Sequence, residues 1–141
     1  MKNPGTSLRK AFAAALASLT YDGKAITVYS QLPIVTLPDN YVYINSMAHA
    51  QVGNNQLFVH DCSITLDVVA KQYKQLDYDV TDGIAAEVMN SITTFPYSTI
   101  TDADFQFVAP TLASSNYLVE QDGSAWLVRK LLTFDMTLIE K

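Results

Sequence analysis

His60, Asp61 and Cys62 stand side by side, and an imidazole, a carboxylate and a thiol are the residue types of thiol catalysis. Their spacing argues against it. Alternation along an extended strand sends His60 and Cys62 to one face and Asp61 to the other, so the carboxylate cannot orient the imidazole. A lone cysteine on an apolar face is a packing residue. With one Cys and only His49 and His60, a zinc site within one subunit would need carboxylate ligands. The run Asp77 to Gly83 approximates a calcium loop, but its glycine comes one position late and its twelfth position is Val88 instead of a bidentate Glu. Acidic residues at a helix N-terminus explain it better. Asp102 and Asp104 lack a basic or imidazole neighbour in sequence, and there is no Gly-rich phosphate loop, Gly-x-Ser-x-Gly elbow or His-Glu-x-x-His pair. The expectation is a protein that is not an enzyme, with no catalytic residue, no metal ligands and no cofactor.

The elements carrying these residues are two long strands. From Leu57 to Val69, Phe58, His60, Cys62, Ile64, Leu66 and Val68 alternate with Asp61, Ser63, Thr65 and Asp67, the period-2 signature of a strand with one core face and one wet face. At about 3.3 Å per residue it reaches roughly 40 Å, about the diameter of a domain of this length. Near the C-terminus Trp126, Val128, Leu132, Phe134, Met136 and Leu138 repeat the pattern, interrupted only by Lys130, with Arg129, Thr133, Asp135 and Thr137 opposite. Two strands with one apolar face each imply an α+β fold: a mainly antiparallel sheet with two helices packed on one face.

In chain order, Thr6 or Ser7 caps a first helix whose stripe is Leu8, Ala11, Phe12, Ala15, Leu16 and Leu19. Tyr21-Asp22-Gly23 turns into a short strand, Ala25 to Tyr29, and Pro33 and Pro38 make Gln31 to Asn40 an exposed crossing. Tyr41 to Ser46 is a strand bulky on both faces, and Met47 to Gln56 reads as a loop around Gly53-Asn54-Asn55. After the central strand, Asp79 or Thr81 caps a second helix with the stripe Ile84, Ala85, Val88, Met89 and Ile92. Phe105 to Ala109 is a strand closed by Pro110, Ala113 to Asn116 a polar loop, Tyr117 to Glu120 a short strand, and Asp122-Gly123 a hairpin turn into the last strand.

The 141 residues predict one domain, 1–141, large enough to bury a core without disulfides or metal. A net charge of -5 with only 9 Lys plus Arg argues against gripping nucleic-acid phosphates, although an acidic wall can pass DNA without holding it. The single Cys62 fits a reducing cytoplasm, and neither a targeting segment nor a membrane span is expected. Eight tyrosines, mostly at strand ends and in loops, suit sheet margins and subunit interfaces alike.

A helix, a strand ending Val28-Tyr29-Ser30, a proline-bearing crossing, Tyr41-Val42-Tyr43-Ile44, the long strand Phe58 to Val69, a helix Asp82 to Ile92, and Asp122-Gly123 before Arg129 and Leu131 to Ile139 follow one another over nearly the whole chain. This layout resembles the tail terminator or tail completion proteins of long-tailed bacteriophages and their neck-protein relatives. It departs from them in a longer Thr93 to Asn116 stretch and in Asp67, where a bulkier residue is common. The resemblance implies a virion protein assembled in the host cytoplasm into a homo-hexameric ring. That ring would sit on the last disc of the tail tube protein, stop tube growth and receive the head-side connector or neck protein, while DNA passes through the lumen without specific binding. No catalytic residue comes with it.

A ring subunit needs stiff strands, edges open to neighbours and loops projecting to different partners. The candidate subunit interface is therefore Tyr41 and Tyr43 with the polar faces of the long strands, Asp61, Asp67, Arg129 and Asp135, where Arg129 is a candidate partner for a carboxylate of the next copy. The candidate axial docking loops contain Gly53, Asn54 and Asn55, and Ser114, Ser115 and Asn116. A head-tail connector or neck subunit of the same virion is the neighbouring alternative. A small-ligand-binding module, with a pocket lined by Phe58, Trp126 and Phe134, is the alternative of another class.

Overall fold

The computed structural model describes residues 2–33, 36–52, 58–92 and 100–141. Its elements are α1 (Pro4–Ala15), β1 (Thr20–Tyr21), β2 (Lys24–Ala25), β3 (Thr27–Tyr29), β4 (Asn40–Gln51), β5 (Val59–Gln72), α2 (Asp79–Ile92), β6 (Phe105–Asp122) and β7 (Ala125–Glu140). A five-stranded sheet has the order β3-β4-β5-β7-β6, and β1 and β2 form a small separate hairpin. Only β3 and β4 run parallel; every other neighbouring pair is antiparallel. The fold is α+β, as the alternation implies.

The two long strands meet along their whole length, from Val59 against Ile139 to Gln72 against Trp126. This register places Ile64 beside Phe134 and Leu66 beside Leu132, so the apolar sets of both strands share one face. Both helices lie on it. Leu8 and Phe12 of α1 and Ile84 and Val88 of α2 join Ile64, Leu66, Leu132 and Phe134 in one core, and the Phe12 and Phe134 rings stand 6.1 Å apart. The residues between them in sequence, Ser63, Thr65, Thr133 and Asp135 among them, face away from the helices.

The helix starts differ from the sequence reading. α1 begins at Pro4, whose missing N–H costs nothing in the first turn, and Asn3 is the cap, its Oδ1 accepting from the Gly5 amide at 2.9 Å. Thr6 and Ser7 lie inside the helix. At α2 it is Asp77 whose Oδ1 accepts from the Asp79 amide at 2.8 Å, while Thr81 is buried and donates its hydroxyl to the Val128 carbonyl at 3.3 Å. The Asp22-Gly23 turn has φ of 53° and 74°, the left-handed pair of a tight hairpin, and the expected Ala25–Tyr29 strand is divided at Ile26, whose amide donates to the Leu19 carbonyl, into β2 and β3.

Two expected loops are strand. β4 continues through Met47 to Gln51 after an irregularity between Ile44 and Ser46, while Gly53, Asn54 and Asn55 fall outside the described residues. β6 is one strand of 18 residues, and Ser114, Ser115 and Asn116, taken as a polar loop, pair with Thr133, Leu132 and Leu131 of β7. Pro110 does not close the strand because β6 is an edge, where a missing N–H removes no ladder bond. Its effect is a bulge, with Ala109 at φ 50° and register shifts between Val108 and Thr111 and between Leu112 and Ser114. At one corner Lys2 joins the chain ends: its amide donates to Glu140 Oε2 at 3.1 Å and its Nζ to Asp104 Oδ1 at 3.1 Å and to the Lys141 carbonyl at 3.3 Å.

Candidate assembly surface

The helix-free face of the sheet collects the strand residues expected to meet neighbours. At one end, Asp67 lies in register between Tyr43 of β4 and Leu131 of β7 and is only 2% exposed. A buried carboxylate needs a compensating charge. Arg129 supplies it, donating from Nε at 3.0 Å and Nη2 at 2.5 Å to Asp67 Oδ2, and from Nη1 at 2.7 Å to Glu120 Oε1. The guanidinium therefore ties β5, β6 and β7 together within one chain, and Asp67 raises its already high pKa. Tyr41 packs nearby, edge-on to Tyr29 at 5.8 Å; burial and then the charge of Asp67 raise its phenol pKa. Asp67 Oδ1 is buried without a hydrogen-bond partner among the described residues.

At the other end, Asp61 and Asp135 are exposed. They line an open basin of about 580 Å³ with Ala48, Ala50, Ser63 and Thr137. Thr137 donates to Asp61 at 3.4 Å, and the Thr65 and Thr133 hydroxyls meet at 3.0 Å across the same face. The structure thus brings Tyr41, Tyr43, Asp67 and Arg129 together and sets Asp61 and Asp135 apart from them. Ser114, Ser115 and Asn116 are exposed on β6.

The opposite face accounts for the candidate chemistry. His60 and Cys62 are buried there and Asp61 is on the wet side, as alternation requires. Burial first, then the Asp61 charge, pushes the Cys62 thiol up to about 11, which removes its thiolate at neutral pH. The His60 ring packs edge-on to Phe105 at 5.8 Å, and neither of its nitrogens has a hydrogen-bond partner among the described residues. No group of three or more His, Cys, Asp or Glu that could hold a metal ion occurs among the described residues.

One cluster escaped the sequence reading. Lys130, which interrupts the apolar run of β7, reaches Asp82 Oδ1 in the first turn of α2 at 3.0 Å, and Tyr117 of β6 donates its hydroxyl to the same carboxylate. Tyr78 stacks edge-on against Tyr117 at 5.0 Å. The Tyr117 hydrogen bond, followed by Lys130, holds the Asp82 carboxyl below its ordinary range despite some burial. The available signal was Lys130 itself, since a cation in an otherwise apolar stripe implies a carboxylate on whatever packs above it.

The pocket alternative is overturned by position. The Phe58 carbonyl accepts from the Glu140 amide at one end of β7, while Trp126 is the second residue of the strand at the other, roughly 46 Å away at strand rise. Phe134 between them is sealed in the core. These three cannot line one cavity.

No protein-family model matches the sequence, and no curated protein matches it. The fold is similar to that of a chain in a solved structure described as the virion of a native gene transfer agent particle. The TM-score is 0.63, with 14% identity, and the alignment covers 97% of this chain and 91% of that one. Agreement over nearly both chains extends the likeness to the whole arrangement of sheet and helices. No helix among the described residues is long and apolar enough to cross a membrane.

Proposed function

We propose that this chain is a structural virion protein, a single domain that assembles as a ring, commonly of six copies, at the head-proximal end of a phage tail tube. There it ends tube polymerisation and offers a docking surface to the head-side connector. The observation that carries this reading is the fold shared with a chain of a virion particle along 97% of the sequence. The layout of the sequence supports the terminator position within the virion. The side chains suit it too: one face of the sheet is committed to the core and the other is a stiff, mostly polar surface without a convergent group of reactive side chains. A net charge of -5 suits a lumen through which DNA slides without being held.

A connector or neck subunit would use the same fold at the adjoining position. Negative-stain images of the purified protein, alone and mixed with tail tubes, separate these readings. Rings, and tubes capped at one end, are expected of a terminator. Rings that bind connectors but never tubes would move the protein to the neck. A uniform monomer indifferent to both would sink the proposal.

A further inference from the structure

Besides the outer side of the three-residue β3 and the start of β6, the five-stranded sheet has two lengths of backbone edge that no strand among the described residues pairs. On one side, Ser114 to Asp122 of β6 follows β7 without a register shift, from Ser114 against Thr133 to Asp122 against Ala125. Only Gly123 and Ser124 separate that last pair, with Gly123 at φ 62°, and the residues flanking a two-residue turn are hydrogen-bonded to each other. Counting outward by alternation, Val119 and Tyr117 then point their N–H and C=O groups away from β7. Protected edges carry lysine, proline or a bulge. This segment has none of them, because Pro110 and both irregularities come before it; its charges, Glu120 and Asp122, are paired within the chain, and Tyr117 and Leu118 are 48% and 41% exposed.

On the other side, β3 pairs only with Tyr41 to Tyr43, which leaves the outer edge of β4 from Ser46 to Gln51 without a strand. Ala48 to Gln51 are exposed there. A β6 edge facing its own copy would set the acids Glu120 and Asp122 near one another, although Arg129 and Lys71 pair with them within the chain, whereas Ser46 to Gln51 carries no Asp, Glu, Lys or Arg and so opposes the β6 edge with no like charge on its own strand.

We propose that the Ser114–Asp122 edge of β6 pairs, backbone to backbone, with the Ser46–Gln51 edge of β4 in a second copy of this chain. The two edges lie on opposite sides of the sheet, so the contact is head-to-tail and uses both at every step. A symmetric β6-to-β6 contact would satisfy one edge and leave the other bare. The inference deepens the ring reading and rests on it for closure: repeated around an axis, the contact covers both of these open lengths in every copy.

Two variants test it. Val119→Pro deletes an outward N–H and leaves the ladder to β7 intact, so the subunit keeps its fold by circular dichroism while the concentration needed for assembly rises by about tenfold or more. Leu118→Cys and Ala48→Cys, both on the helix-free face, are mixed and treated with a short bifunctional thiol reagent; the expected product joins one of each. Buried Cys62 does not compete. Products joining only Leu118→Cys copies to each other, or rings unaffected by Val119→Pro, overturn the edge contact and leave the ring standing. If the unaltered protein forms no ring alone or on tubes, the ring reading falls, while mixed Leu118→Cys and Ala48→Cys products at high concentration still establish the edge contact.

Discussion

Phe134 and Thr133 are neighbours on β7, yet they belong to two different surfaces. Phe134 is sealed between the sheet and Phe12 of α1, whereas Thr133 looks outward and shares a hydroxyl contact with Thr65. One face of the sheet is apolar and closed by helices. The other is polar, held by an ion pair at one end and open to a basin at the other. The difference teaches where variation is tolerated: the covered face holds the subunit together, and the bare face can be shaped for contact with other subunits at little cost to folding.

The sharpest break of that comparison is Phe134→Ala, expected to cost about 3–5 kcal/mol in denaturant unfolding because it empties the centre of the core. Thr133→Ala should cost about 1 kcal/mol or less. Equal losses at the two positions would erase the distinction between the faces. Asp67, buried on the bare face like Val69 two residues on, is an exception, and Asp67→Asn should cost about 2 kcal/mol by leaving Arg129 poorly compensated. Replacing both partners, Asp67→Leu with Arg129→Met, should recover much of that loss in the same unfolding assay.

The smallest effect is a pH dependence. The Asp82 carboxyl is held below its ordinary range in the folded chain, so its stabilisation is present above the unfolded value, near pH 3.9, and is lost as pH falls through the lower folded one. Because Asp82 is substantially exposed, its pairing should contribute under about 1 kcal/mol. Asp82→Asn should be less stable than the unaltered protein at pH 7 and should lose that deficit in strong acid. A deficit that persists there would place its cause outside the Tyr117 and Lys130 contacts.

Period-2 alternation made β5 and β7 legible, and their pairing followed from each having one apolar face. β6 was obscured because its outer half has both faces wet: from Thr111 to Leu118 every residue is exposed, so no alternation survives, and Pro110 and the serines imitate a break. The extension of β4 was hidden similarly, since Ala48, His49, Ala50 and Gln51 are all exposed and give no two-fold pattern. Asp67 read as a solvated acid on the polar side; its burial depends on Tyr43, Leu131 and Arg129, which only the register brings beside it. Likewise, Lys130 and Asp82 are 48 positions apart and meet only through the way α2 packs on β7.

The corner where Lys2 meets Glu140, Lys141 and Asp104 lies at the far end of β7 from the Gly123-Ser124 tip. A purification tag or fluorescent protein fused before Lys2 or after Lys141 would therefore leave from that corner, away from the Gly123-Ser124 tip. Joining Lys141 to Lys2 by a short linker and opening the chain at Asp22-Gly23 keeps all five strands of the large sheet uncut.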